Sequence, residues 1–139
     1  MGYAIDGTNG TGWNSGDWAP AFYEVTFASP RAFSGLHVEA GALPADDQVY
    51  TITATRPDGN TDSVTETFHL ASGVQSLKDL DLGHGLVKYR SFRIDIANYG
   101  PSWRAINEIL LSGCPRINRA LMCTTVSIAW FSGHSRNCR

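Results

Sequence analysis

Ten residues near the start of the chain, AIDGTNGTGW (4–13), crowd oxygen donors into a turn. Asp6 offers a carboxylate, Thr8 and Thr11 hydroxyls, and Asn9 an amide. Gly7, Gly10 and Gly12 leave the backbone free to bend its carbonyls inward. Hard cations such as Ca2+ take about six to eight oxygen ligands, often carbonyls of a tight turn joined by a few carboxylates. Asp-Gly is also a common hairpin turn, so the segment by itself reads either as a turn or as a cation loop. A second carboxylate stands out far along the chain. In WRAINEILL (103–111), Glu108 lies among Ile106, Ile109 and Leu110. A carboxylate near an apolar strand face needs a partner. It is either an edge glutamate turned to water or the group that completes a cation site.

Catalytic constellations are missing. No G-x-S-x-G, Walker loop or Cys–His arrangement occurs. His37, His69, His84 and His134 are scattered and form no spaced metal pair. Asp46-Asp47 and Asp79/Asp81 read as solvated loop carboxylates rather than acid/base pairs, because nothing nearby would perturb them. The chain is therefore expected to bind, not to catalyse.

The elements that must position these residues are strands. AFYEVTF (21–27), FSGLHVEA (33–40), QVYTITAT (48–55), DSVTETFHL (62–70), VKYRSFRIDIA (87–97) and INEILLS (106–112) alternate apolar and polar residues and favour Val, Ile, Thr, Tyr and Phe. Turn chemistry at Ser29-Pro30, Gly41 to Asp47 and Pro57-Asp58-Gly59-Asn60 separates them. Residues 73–84 read as a short helical turn. The expectation is all-β: an antiparallel β-sandwich or jelly roll.

At 139 residues the chain is of single-domain size, with 42% hydrophobic and 17% charged residues, a globular composition. A net charge of −2 argues against a nucleic-acid partner, which needs a basic face. No apolar run reaches the ~18–20 residues that span a bilayer. No basic-then-apolar leader follows Met1, so export would rely on a signal outside these residues. The composition changes after Gly113. Residues 114–139 hold Cys114, Cys123, Cys138 and four arginines but no acid, whereas residues 1–113 carry seven Lys and Arg against thirteen Asp and Glu. The cysteines form one pair plus a free thiol, or stay as three thiols, and match no zinc spacing. The division expected is a sandwich domain at 1–113 and an atypical extension at 114–139, either packed on the sandwich or foreign to it. TTVSIAWF (124–131) in that extension could be one more strand.

The order of these pieces resembles the discoidin-like family, also called the coagulation factor 5/8 C-type or galactose-binding-like domain, which includes many bacterial carbohydrate-binding modules. Ala4, Asp6, Gly7, Thr11 and Trp13 fit its A-x-D-G-x-x-x-T-x-W opening. YRSFRIDI (89–96) is similar to its penultimate strand, AINEILL (105–111) to its terminal strand, and VYTITATRPDGN to its strand followed by a DG turn. The resemblance covers about residues 3 to 113 and implies a galactose-binding-domain-like jelly roll. It also implies a structural Ca2+ held by the side chains of Asp6, Glu108 and Thr11 and by carbonyls of Tyr3, Thr8 and Asn107. Trp13 falls on a core position of the family. A strand ahead of Ala4 belongs to the family pattern; here TTVSIAWF is the segment that would fill that edge. GALPADD (41–47) lacks the arginine that galactose binders often carry after the preceding strand, which counts against galactose.

In such sandwiches the ligand meets the loops at one end, where aromatic rings stack on sugar C–H faces and polar groups read hydroxyls. The candidates are Trp18, Tyr99 and Trp103, with Asp46, Asp47, Asn98 and Arg104 as polar partners; packing is the competing reading for each ring. The function the resemblance implies is glycan recognition by a carbohydrate-binding module or surface-attachment domain, extracellular or at the cell surface. The alternative is a structural or protein-interaction domain of a cell-surface or phage-like assembly. The sequence leaves the oligomeric state open.

Overall fold

The computed structural model describes residues 12–16, 20–98, 100–113 and 126–127, with Asn98, Val126 and Ser127 described by their backbone. Within these residues the chain is all-β, as the alternation requires. The strands are β1 (Trp13–Asn14), β2 (Ala21–Phe33), β3 (Gly35–Leu43), β4 (Asp46–Thr55), β5 (Thr61–Leu70), β6 (Ser76–Asp81), β7 (Val87–Asn98), β8 (Trp103–Ser112) and β9 (Val126–Ser127). They form two antiparallel sheets, one ordered β1-β8-β3-β6 and the other β5-β4-β7-β2-β9.

Period-two patterning aims one face of each sheet inward. Gln48, Tyr50, Ile52 and Ala54 of β4 face Leu36, Val38, Ala40 and Ala42 of β3, and all are buried. Aromatic contacts fill the middle. Phe33 lies 4.6 Å from Tyr89 between centroids, and Tyr50 stacks on Phe68 at 4.3 Å. Trp13 is buried edge-on against Tyr23, which agrees with its reading as packing.

Three features differ from the sequence reading. Residues 73–84 do not make a helical turn. They contain β6, whose Leu80 turns into the core while Leu77 stays exposed, so the alternation is real but its apolar face is short. Ser29-Pro30 does not end a strand. It lies in a register shift of β2 against β7 between Thr26 and Arg31, where a proline lacking an N–H is tolerated. Gly41 to Asp47 is mostly strand, leaving Pro44 and Ala45 as the connection. The Pro57–Asn60 turn is as expected: Asn60 donates its N–H to Asp58 Oδ1 at 2.9 Å, and Gly59 has φ 92°.

A second irregularity matters for the site. In β8, Glu108 pairs with Glu39 and Ile106 with Ala40, leaving Asn107 as an extra residue. This bulge resets the phase of the strand. Arg104 and Ile106 face inward before it and Ile109 after it, so Glu108 shares the outer face with Glu39.

Candidate functional site

The connections β3–β4, β5–β6 and β7–β8 meet at one end of the sandwich. Register fixes this: Leu43 opposes Trp103, Asp46 opposes Leu70, and Gln48 opposes Asn98. Ser72 bridges Ala42, and Gly73 donates its N–H to Ala42 O at 3.0 Å. Beneath this end lies a buried polar layer. Tyr50 donates to Gln48 Oε1 at 3.1 Å, and Gln48 Nε2 donates to Trp103 O at 3.3 Å. Ser102 Oγ donates to Pro44 O at 2.8 Å, tying the β7–β8 connection to the β3–β4 connection. Burial pushes the Tyr50 phenol far above its ordinary range, with the Arg104 guanidinium pulling it back only in part. The layer fixes the backbone on which the surface residues stand.

On top of it runs a shallow groove of about 750 Å3, lined by Ala45, Asp46, Asp47, His69, Leu70, Ala71 and Gly100. Asp47 and His69 are register partners across β4 and β5, with His69 Nδ1 2.8 Å from Asp47 Oδ1. Asp46 follows the inward phase of Gln48 and Tyr50, yet sits at the open end. Its Oδ2 is buried and accepts no hydrogen bond. Gly100 approaches closely: a Cβ on it would stand 3.0 Å from Asp46 Oδ1, so the carboxylate would have to shift to admit one. The groove's lining thus offers the carboxylates of Asp46 and Asp47 and the His69 imidazole, with no lysine or arginine.

Trp103 is not among the lining residues; it opens β8 at the same end of the sandwich. It is 42% exposed and pairs directly with Leu43, 61% exposed, on the outer face of the first sheet. The structure therefore brings Asp46 and Asp47 into one groove and leaves Trp103 exposed at the same end, on the outer face of the first sheet. Arg104 departs from the sequence expectation. It is fully buried, because its register position opposite Ala42 turns it inward, so it supports the floor and does not reach the surface. Asn98 enters the ladder opposite Gln48 by its backbone. Trp18 and Tyr99 lie outside the described residues. His69, Gly100 and Leu43 were not singled out from sequence. The Asp47–His69 pair becomes visible only once β4 and β5 are set in register.

For the cation expectation, Tyr3, Asp6, Thr8 and Thr11 lie outside the described residues, and Asn107 and Glu108 lie within them. Asn107 is the bulged residue. Gly12 abuts it so closely that a Cβ would stand 3.0 Å from Asn107 Oδ1 and 3.1 Å from Ile106 O. Glu108 is 5% exposed although its register places it on the outer face. Among the described residues no group of three or more His, Cys, Asp and Glu could hold a metal.

The opposite end carries a charged cluster that the sequence did not announce. Asp62, 8% exposed, accepts from Arg56 Nε at 2.8 Å, from Arg56 Nη2 at 2.9 Å and from the Tyr89 hydroxyl at 2.7 Å, with His84 Nε2 at 3.3 Å. Burial pushes the Asp62 carboxyl up. The hydrogen bonds from Tyr89 and Arg56 and the charges of Arg56 and His84 outweigh it, holding the group below the usual carboxylate range. Burial, then the bond to Asp62, pushes the Tyr89 phenol up to about 12.

No family model and no curated protein matches the sequence. Solved structures do match its fold. One is the CBM32 of AlyQ in complex with 4,5-unsaturated mannuronic acid, at TM-score 0.57 and 13% identity, covering 81% of this chain and 85% of that one. Another is a pectin-binding carbohydrate-binding module, at TM-score 0.55 and 13% identity, covering 84% and 82%. A third is chitosan-binding module 1 of a chitosanase/glucanase from Paenibacillus sp. IK-5, at TM-score 0.52 and 20% identity, covering 78% and 80%. The chain has the β-sandwich fold of these modules.

Proposed function

We propose that the protein is a non-catalytic carbohydrate-binding module whose ligand lies at the β3–β4, β5–β6, β7–β8 end. What supports this reading is that the same end of the sandwich carries a groove holding Asp46, Asp47 and His69 and an exposed Trp103–Leu43 pair. An exposed indole offers a face for sugar C–H groups, and carboxylate oxygens accept from hydroxyls. The fold shared with modules described as binding mannuronate, pectin and chitosan supports the class, though fold alone does not fix a ligand. The groove's lining side chains include two carboxylates and no lysine or arginine, so neutral or amino sugars suit it better than uronates, whose carboxylates would meet Asp46 and Asp47. A glycan array tests the reading. Binding that weakens in Trp103→Ala and Asp46→Asn supports it, and silence across neutral, amino and acidic glycans sinks it. A glycan partner implies work outside the cell or at its surface.

A structural cation of the Ca2+ type belongs to the same proposal. Glu108 and the Asn107 carbonyl would hold it, with Asp6 and Thr11 as side-chain partners and Tyr3 and Thr8 giving carbonyls. The burial of Glu108 on the outer face of the first sheet and the close approach of Gly12 to Asn107 support this. The ion would pin the two segments, not react.

A second reading is a structural or protein-interaction domain. Leu77 and Leu110, both exposed on the outer face of the first sheet beside Glu39 and His37, favour it. A stable complex that survives Asp46→Asn and is lost in Leu110→Asp would select it.

A further inference from the structure

We infer that His69 makes the groove's choice between neutral and acidic sugars depend on pH, protonation of its ring relaxing the exclusion of uronates. The inference rests on the groove reading above and adds a regulation to it. His69 and Asp47 stand directly opposite across β4 and β5, and both line the groove. His69 Nδ1 is 2.8 Å from Asp47 Oδ1, and both side chains are exposed. An ionised carboxylate only accepts, so in the neutral ring the proton sits on Nδ1 and Nε2 is an acceptor. A second proton turns Nε2 into a donor while Nδ1 still donates to Asp47. One ring atom in the groove thereby reverses its hydrogen-bonding sense. The formal charge of the lining changes from −2, for Asp46 and Asp47, to −1 once the imidazolium is added.

Imidazole is the side chain whose ordinary titration falls between about pH 5 and pH 8, and a uronate, like carboxylates in general, stays ionised over that range. Above the titration a uronate meets an acceptor nitrogen and two carboxylates. Below it the same uronate meets a donor carrying positive charge. A neutral sugar exchanges one acceptor for one donor and feels no net charge. Acidification therefore narrows the preference for neutral sugars; because one negative charge remains, it does not invert it. Among the described residues the surroundings keep this a local event. Asp46 and Asp47 face His69 from β4, while Ala71 and Gly100, from the β5–β6 and β7–β8 connections, carry no charge. The next row of the outer face, Val49 opposite Thr67 and Ala97, is neutral. Further along, Asp95 is held by Arg93 Nη2 at 2.7 Å, and Glu66 lies 3.9 Å from Lys78. The molecule also supplies a control. His37 and Asp79 form a second cross-strand pair, on β3 and β6 of the other sheet, and neither lines the groove.

The experiment is calorimetry on the full chain with an oligogalacturonate and a neutral oligosaccharide of equal length, at about pH 5 and about pH 8. The ratio of neutral to uronate affinity should fall about three- to tenfold on acidification, the scale of one unit charge a few ångströms away in a watery groove. His69→Gln, which keeps a polar side chain that does not titrate, should hold the ratio constant. His37→Gln, His84→Gln and His134→Gln should each leave the fall in place. A ratio that ignores pH, a fall that persists in His69→Gln, or a uronate bound at neither pH while the neutral sugar binds overturns this inference and leaves the groove reading standing. Binding of neither sugar at either pH sinks the groove reading and this inference with it.

Discussion

The two ends of the sandwich handle polar groups in opposite ways. At the Arg56–Asp62–His84–Tyr89 end, each charge meets a counter-charge or a hydroxyl, and the carboxylate is shielded from water. At the Asp46–Asp47–His69–Gly100 end, a buried carboxylate oxygen accepts nothing and the neighbouring carboxylate is shared with an exposed imidazole. Saturated buried networks rigidify a fold, whereas unspent acceptors in a groove are available to a ligand. The contrast is why the proposal places the ligand at the Asp46 end, where an acceptor is unmatched, and not at the end with the denser polar network.

The first way to break this comparison is to damage the saturated end. Asp62→Ala strands the Tyr89 hydroxyl in the core and should cost about 1–3 kcal/mol in chemical denaturation, with glycan affinity unchanged once the protein is folded. Loss of binding in the folded variant would mean the ends are not separate. Next in size is the cation. Chelator should remove up to about 2.7 kcal/mol if the free ion stands near 100 times its Kd. Asp6→Ala and Glu108→Gln should each erase that sensitivity in a thermal melt, and a melt indifferent to chelator removes the ion. At the open end, Trp103→Ala should weaken glycan binding about tenfold by calorimetry, the scale of one lost aromatic contact, without lowering Tm by more than a few degrees. Asp46→Asn should weaken an amino sugar more than a neutral one; equal loss, or tighter uronate binding by the wild type, would reverse the assignment of charge.

The smallest effect sharpens the contrast through pH. The Asp62 carboxyl is held below its ordinary 3.8 in the folded protein, so its contribution is present above that pH and lost as pH falls through the lower folded value. Between pH 4 and pH 2 the wild type should therefore lose more stability than Asp62→Asn. Tyr89 acts in the other direction. Its phenol, raised to about 12, contributes stability that is intact below pH 10 and fades as pH climbs to 12.

Much of the fold was legible because period-two alternation survives in the long central strands. VKYRSFRIDIA places Phe92, Ile94 and Ile96 inward, as they are found. The alternation fails where the chain departs from regular pairing. The shift in β2 hid strand continuity behind Ser29-Pro30, and the weakly apolar β6 passed for a helical turn. Of the candidate site residues, Asp46, Asp47 and Trp103 stand at the loop end, since loops between alternating strands must gather at the ends; that they hold a ligand is the proposal. Arg104 was misplaced because β8 turns it inward opposite Ala42, a matter of strand phase that the residue type does not reveal. His69 and Gly100 were missed because their relevance depends on cross-strand register and on a 3.0 Å approach, neither written locally in the sequence. The Asp62 cluster joins residues from position 56 to position 89 and shows no local motif.

Amide and indole chemical-shift mapping during titration with a chitosan oligosaccharide or a neutral oligosaccharide tests the division of labour most directly. The account predicts perturbations at Asp46, Asp47, His69, Gly100 and the Trp103 indole, with Arg56 to Asp62 unmoved. Perturbations centred on Arg56 to Asp62, or on the outer face of the five-stranded sheet, would contradict it, as would no perturbation by either sugar.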